Sequence, residues 1–113
     1  MGRKKAIVYP RGLRKLKIMG EQIRMARLRR HMTEDEMAER AMISRSTVYK
    51  IENGSPSVSI GHITAVLTVL GMQDDILKLA GNDTLGRSIQ DIEMKQPRRA
   101  PKRNTETTAQ EKG

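Results

Sequence analysis

The sequence predicts one small all-α domain of five helices, with a basic arm before it and a disordered basic tail after it. Three observations support this prediction. Apolar residues recur every three or four positions through most of the chain, which is the spacing of an amphipathic helix. Capping residues stand where these periodic segments begin and end. The chain has 113 residues and contains no Phe, Trp or Cys, so its core must be built from aliphatic residues and Met.

The first helix is predicted from Gly12 to about Arg30, after an arm closed by Pro10. A single apolar stripe runs along it at helical spacing. The residues of the stripe are Leu13, Leu16, Met19, Ile23 and Ala26. Gly20 lies off the stripe, and a glycine inside a helix costs about 1 kcal/mol relative to alanine. We therefore expect a weak point in the helix at Gly20.

Two short helices follow, each with its own start signal. Thr33 and Glu36 have the spacing of a capping box, which predicts a second helix ending near Ala41. Ser44 is the next N-cap, and Gly54 offers the left-handed conformation that ends the third helix. The residues expected to face inward are Met37, Ala38 and Ala41 in the second helix, and Ile43, Val48 and Ile51 at the third.

The remaining helices are predicted from apolar spacing. A fourth helix begins at Ser59 or Ser57 and ends at Gly71, a fifth runs from Asp74 to Leu79 or Ala80, and a last turn or two ends near Met94. The residues expected to face inward are Ile60, Ile63, Val66, Leu67 and Leu70, then Ile76, Leu77 and Leu79. Leu85, Ile89 and Ile92 form the apolar side of the last, amphipathic turns. The predicted divisions are an arm (1–11), a domain (12–81), a short helical extension (82–94) and a disordered tail (95–113).

Positive charge is concentrated at the two ends of the chain. The net charge is +9, and residues 1–31 hold eleven Lys or Arg against Glu21 alone. Basic ends around a near-neutral middle are typical of proteins that bind a polyanion, although a solvated charged surface explains the same pattern. The basic tail is open to both interpretations, as a solvated segment or as an arm along a phosphate backbone.

Composition excludes several classes of protein. Without Cys there is neither a disulfide nor a thiolate metal site. No run of about 18 apolar residues and no signal peptide is present, so we expect a soluble, cytoplasmic chain that does not contact membranes. His31 and His62 lack ligand-type partners at helical spacing, and the acidic residues after Thr33 suit a helix dipole better than catalysis. We expect no metal, no cofactor and no enzyme, and a homodimer that supplements a small core.

The most informative feature is the pair of short helices joined at residues 42–44. Aliphatic side chains would hold the second helix of the pair against the core, leaving its polar face outside. That face consists of Arg45, Ser46, Thr47, Tyr49 and Lys50. A helix presented in this way fits the major groove of DNA, where each base pair shows a distinct pattern of donors and acceptors. An ordinary helical hairpin with a polar solvent face has the same spacing.

Residues 16–80 resemble the lambda-repressor-like (Cro or XRE type) helix-turn-helix family. The resemblance is carried by the run Ser44-Arg45-Ser46-Thr47-Val48 followed by Ile51-Glu52-Asn53-Gly54. It implies a five-helix domain that binds double-stranded operator DNA as a dimer, and an ion pair between Arg27 and Glu52. The residues that it implies at base edges are Arg45, Ser46 and Lys50. Those expected at the DNA backbone or flanking bases are Thr33, Ser44, Thr47, Tyr49, Asn53, Arg14 and Lys15.

Two residues depart from the pattern of that family. Met42 stands where family members usually have Gly, and a left-handed backbone costs a residue with a side chain about 1–2 kcal/mol. We therefore expect this turn to bend differently. Glu34 stands where the family favours a Gln whose amide meets a phosphate, and a carboxylate there would repel that phosphate.

The flanking segments resemble the HipB-like antitoxins. The residues concerned are Tyr9-Pro10, 26–30, 55–59, 69–72 and Leu85-Gly86-Arg87. The similarity implies an autorepressor whose dimer also holds a HipA-like serine/threonine kinase toxin. Two alternatives stay open: a stand-alone phage-type or controller repressor, and a module that binds RNA or an acidic protein. The RNA alternative is disfavoured because stacking aromatic residues are nearly absent.

Overall fold

A computed structural model describes residues 7–95, and this part of the chain contains helices and no strand. The elements are α1 (Pro10–Arg29), α2 (Glu34–Ala41), α3 (Arg45–Glu52), α4 (Ile60–Leu70), a 3₁₀ helix (Gln73–Lys78) and α5 (Thr84–Lys95). The predicted all-α class is confirmed. The chain divides into two compact units, with the boundary in the sequence between Leu79 and Ala80. Residues 96–113 of the predicted tail (95–113) and residues 1–6 of the predicted arm (1–11) lie outside the described residues.

Helix α1 begins two residues before the predicted start at Gly12. Pro10 occupies its first position, where a missing N–H costs nothing and the fixed φ of proline suits the helix. The start signals for the next helices are confirmed. Thr33 and Glu36 form the full capping box, and Ser44 and Ser59 each accept a hydrogen bond from the backbone three residues on. Ser59 rather than Ser57 is thus the cap of α4.

Helices α1 to α4 all end with one residue in the left-handed conformation. These residues are His31, Met42, Gly54 and Gly71. In each case the next N–H donates to a carbonyl five residues earlier: Met32 to Arg27 (3.3 Å), Ile43 to Ala38 (3.1 Å), Ser55 to Lys50 (2.9 Å) and Met72 to Leu67 (2.8 Å). This is the Schellman ending, which satisfies carbonyls that a helix end leaves without partners.

The expectation that the turn at Met42 bends differently is wrong. Met42 has φ 60° and ψ 41°, the left-handed values that a glycine would take. This backbone shape places Ile43 against the core and leaves Ser44 in position to cap α3. The Met42 side chain is exposed, so the cost is confined to the backbone.

The core lies where α1, α2, α3 and α4 meet. Met37, Val48, Ile51 and Val66 are its largest fully buried side chains. The other buried apolar residues are Ile23, Ala26, Met32, Ala38, Leu67 and Leu70. Met37 and Met32 thus fill volume that aromatic residues take in many domains, since methionine adapts to irregular gaps.

Three residues predicted to face inward are exposed. Ile60 is 56% exposed because it is the first residue of α4 and lies before the turns that pack on the core. Leu77 and Leu79 are 77% and 66% exposed. The segment Gln73–Lys78 is a 3₁₀ helix in which Ile76 packs against the core, and the next residue, Leu77, lies on a different side of the helix. Leu79 follows the end of this helix.

The second unit contains α5. Its start is held locally, because the side chain of Asp83 accepts a hydrogen bond from the N–H of Gly86 (2.9 Å) and Arg87 donates to the carbonyl of Gly81 (2.9 Å). The predicted helix to about Met94 is confirmed. Its apolar residues Leu85, Ile89 and Ile92 are exposed.

Gly20 is a packing position of α1, although the sequence placed it off the buried stripe. It is buried beneath the carboxyl end of α3. A Cβ atom added there would lie 2.5 Å from the carbonyl oxygen of Ile51 and 2.7 Å from that of Glu52. The absence of a side chain therefore lets the backbones of α1 and α3 approach each other.

Candidate nucleic-acid interface

Helix α3 is fixed to the domain by its inner face and both of its ends. Val48 and Ile51 are fully buried on the inner face. At the first turn, Ser44 Oγ accepts a hydrogen bond from the N–H of Thr47 (3.1 Å). At the last turn, the left-handed residue Gly54 closes the helix. The opposite face is therefore presented on a rigid support.

A buried ion pair connects α3 to α1. Arg27 Nε lies 2.7 Å from Glu52 Oε2, and Arg27 Nη2 lies 3.0 Å from Glu52 Oε1. Arg27 Nη1 also donates to the carbonyl of Met32 at 2.6 Å. The hydrogen bond to Glu52 raises the pKa of Arg27 above its ordinary value, against the effect of burial. The structure thus brings together the two residues for which the sequence implied an ion pair.

The outer face of α3 carries the residues implied at base edges. Arg45, Ser46 and Lys50 are all exposed, and Tyr49 on the same face is more than half exposed. Glu34, Arg45, Ser46 and Tyr49 line a shallow depression of about 420 Å³. This surface combines two positive charges, hydroxyl groups and one aromatic ring, which suits hydrogen bonding to base edges and contact with phosphates.

Two acidic residues lie close to Arg45, and these contacts were not predicted from the sequence. Arg45 Nε lies 3.4 Å from Asp35 Oδ1 and 3.6 Å from Glu34 Oε1. The signal was present in the sequence, because both acidic residues lie in the first turn of α2. The sequence alone does not bring these residues close to Arg45, because only the tertiary packing of α2 and α3 places the first turns of the two helices side by side.

The residues expected near the DNA backbone fall into two groups. Thr33 and Ser44 are exposed N-caps whose hydroxyl oxygens accept backbone hydrogen bonds. Thr47 is half-buried, with its Oγ1 2.8 Å from Ser44 Oγ, and Asn53 donates to the carbonyl of Tyr49 (2.8 Å) at the end of α3. The structure therefore gives each of these four side chains a role at a helix end.

Arg14 and Lys15 form the second group. Both are exposed in the early turns of α1, and neither makes an ion pair with another residue of the part described (7–95). Their charges are thus open to solvent and to external anions.

Residues 7–95 contain no group of three or more His, Asp or Glu that could hold a metal ion. None of the described helices has both the length and the apolar content required to cross a bilayer.

Comparison with known proteins agrees with this arrangement. The family model described as Helix-turn-helix matches residues 23–77, from the second half of α1 to the 3₁₀ helix. No curated protein matches the chain. The matched segment includes the two capped helices, the turn between them and the buried Arg27–Glu52 pair. Residues 23–77 therefore have the fold of a lambda-repressor-like helix-turn-helix domain, and the match supports a DNA-binding transcription regulator of the Cro/XRE type.

Proposed function

We propose that this chain is a sequence-specific transcriptional autorepressor that binds operator DNA as a homodimer and acts as the antitoxin of a HipA-like kinase. One observation supports the DNA-reading part above all. The aliphatic residues of α3 are buried, whereas Arg45, Ser46 and Lys50 stand exposed on its other side. Repression requires only that the bound dimer block a promoter.

In this proposal α3 lies in the major groove and reads bases directly. Arg45 donates a pair of hydrogen bonds to guanine O6 and N7, Lys50 donates to the same kind of acceptor, and Ser46 bonds to either type of base. Ser46 and Lys50 are four residues apart, so they are neighbours on one helix face. Their side chains thus reach adjacent base pairs.

The remaining residues position the domain on the DNA backbone. The hydroxyl hydrogen of Thr33 is available to a phosphate oxygen, since its oxygen serves as the acceptor at the α2 cap. Ser44 Oγ also lies 2.8 Å from Thr47 Oγ1, so Ser44 donates to a phosphate when Thr47 is the donor of that pair. Arg14 and Lys15 add charge that attracts any duplex. Thr47, Tyr49 and Asn53 are assigned to phosphates or flanking bases.

Binding to duplexes with single base changes tests base reading. We expect Arg45→Ala to lose preference at one base position and to cost about 1–3 kcal/mol. Lys15→Ala is the matched control, since it removes one exposed charge of α1 and should weaken binding almost equally for all sequences. A loss in Arg45→Ala that is the same for every duplex would show that Arg45 touches only the backbone.

The homodimer is supported by the exposed apolar residues that the domain leaves outside its core, among them Ile60 and Leu79. Two copies would bring their α3 helices to half-sites about one helical turn apart, which is 34–36 Å in dimeric helix-turn-helix complexes (about 10 base pairs). Sedimentation equilibrium measures the mass of the free chain, and footprinting on the chain's own promoter measures the spacing. A monomer on a single half-site would contradict this part.

The antitoxin role is supported by the resemblance of the flanking segments to HipB-like antitoxins. We place the kinase on α1, α4, the 3₁₀ helix and residues 82–94, away from α3, so that kinase and operator bind one dimer together. The test is co-purification with the product of the neighbouring gene, followed by addition of operator DNA. Competition between kinase and operator would refute the arrangement, and the absence of a kinase partner would identify a stand-alone repressor.

The basic tail is assigned to the DNA backbone. Deletion of residues 95–113 should make the decrease of operator affinity with salt less steep, because fewer counterions are released on binding. An unchanged salt dependence would show that the tail does not track DNA.

A further inference from the structure

Two carboxylates accompany the main base-reading side chain. Both reach the same atom, Arg45 Nε, at 3.6 Å from Glu34 Oε1 and 3.4 Å from Asp35 Oδ1. The Arg45 side chain is still 66% exposed, and that of Glu34 is 21% exposed. A positive charge at the DNA-facing surface is therefore partly offset by the protein itself.

These contacts leave most of the guanidinium donors available. Arginine carries one N–H on Nε and four on its two Nη atoms. Within residues 7–95, no hydrogen bond involves an Nη atom of Arg45. The edge of a guanine accepts two hydrogen bonds from one guanidinium. Arg45 can thus bond a guanine without losing its contacts to Glu34 and Asp35.

A phosphate group meets a different situation. It carries a full negative charge, and close to Arg45 it would also be close to the two carboxylates. Like charges a few ångströms apart repel each other. Guanine O6 and N7 belong to a neutral base, so the same carboxylates oppose them much less. The electrostatic arrangement favours a base edge over a phosphate as the partner of Arg45.

We infer that Glu34 and Asp35 are specificity-determining residues that suppress phosphate binding by Arg45 and reserve its donors for a base. This inference rests on the proposed function, in which Arg45 reads bases. It predicts that the two carboxylates lower affinity for DNA of arbitrary sequence more than affinity for the operator.

The experiment compares two duplexes of equal length and composition. One is enriched from a random pool by the wild-type chain, and the other is a scrambled version of it. The variants are Glu34→Gln, Asp35→Asn and the two combined. The matched control is Asp74→Asn, which removes the same charge from an exposed carboxylate of the 3₁₀ helix that makes no ion pair in the described part of the chain. Circular dichroism verifies that each variant is folded.

We expect the combined variant to bind the scrambled duplex about 2- to 30-fold more tightly, the range for two exposed ion pairs. Its affinity for the enriched duplex should rise less, so the ratio between the two should fall. The slope of log affinity against log salt for the scrambled duplex should steepen by about 1, as one more phosphate is neutralised. Asp74→Asn should change both duplexes by the same small factor.

The Arg45→Ala background decides whether the effect passes through Arg45. There, neutralising Glu34 and Asp35 should change affinity no more than Asp74→Asn does. An equal gain for both duplexes, or a gain that persists without Arg45, would overturn the inference while leaving the proposed function intact. If the wild-type chain enriches no duplex at all, the proposed function fails and the inference fails with it.

Discussion

Replacing Gly20 by alanine tests whether the close approach of α1 to α3 is required for stability. The new Cβ would lie within 3.0 Å of three backbone atoms, the nearest being the carbonyl oxygen of Ile51 at 2.5 Å. Backbone atoms cannot rotate away as a flexible side chain does, so the two helices must separate. Overpacking of this kind costs about 1–3 kcal/mol, and the better helix propensity of alanine returns about 1 kcal/mol.

We therefore expect Gly20→Ala to lower the free energy of unfolding by up to about 2 kcal/mol. For a domain of this size that is a fall in Tm of up to about 16 °C. Gly61→Ala is the matched control, because Gly61 is also helical and its added Cβ would meet only Ser59 Oγ, at 3.6 Å. This variant should be as stable as the wild type or gain up to about 1 kcal/mol.

Urea unfolding followed by circular dichroism measures both variants, at one fixed protein concentration because self-association would add to stability. A Gly20→Ala protein as stable as Gly61→Ala would refute the packing argument. The tertiary contact would then be loose enough to admit a methyl group, and the predicted weak point in α1 would be the better interpretation.

Three further substitutions probe the same framework. Met42→Gly should stabilise the domain by about 0.5–1 kcal/mol in urea unfolding, since it removes the left-handed strain but adds backbone entropy to the unfolded chain; no gain would mean that the turn is not left-handed. Glu52→Leu should cost about 3–5 kcal/mol in urea unfolding, since it leaves the charge of Arg27 buried with only the carbonyl of Met32 as a partner; a loss below about 1 kcal/mol would mean that Arg27 reaches water. Ser44→Ala should lower the free energy of unfolding by about 1 kcal/mol, because α3 loses its N-cap. Thermal unfolding measures this as a lower Tm, and an unchanged Tm would contradict the capping role.

Local signals predicted the helices well. The capping box at Thr33, the cap at Ser44 and the glycine at position 54 act over three or four residues, so they are legible in the sequence. The pairing of Arg27 with Glu52 came from family resemblance, since nothing in the spacing of two residues so far apart requires contact.

The predictions that were wrong or incomplete concern burial and contacts between side chains, which depend on how the helices pack. Gly20 looks like a defect in an isolated helix and becomes a packing site only when α3 lies across it. Leu77 is apolar but exposed, because the end of the domain does not supply a surface to cover it. The carboxylates beside Arg45 were visible as residues, yet their distance to it depends on how α2 and α3 cross.

The buried guanidinium of Arg27 joins α1, the carbonyl at Met32 and the last turn of α3 in a single network. Since these bonds break together, α3 should open only when the whole domain does, and its inner amides should exchange with deuterium at the rate of global unfolding. A protein built in this way meets its duplex with the reading surface already formed. Little conformational entropy is then lost on association, and selectivity depends on side-chain chemistry alone.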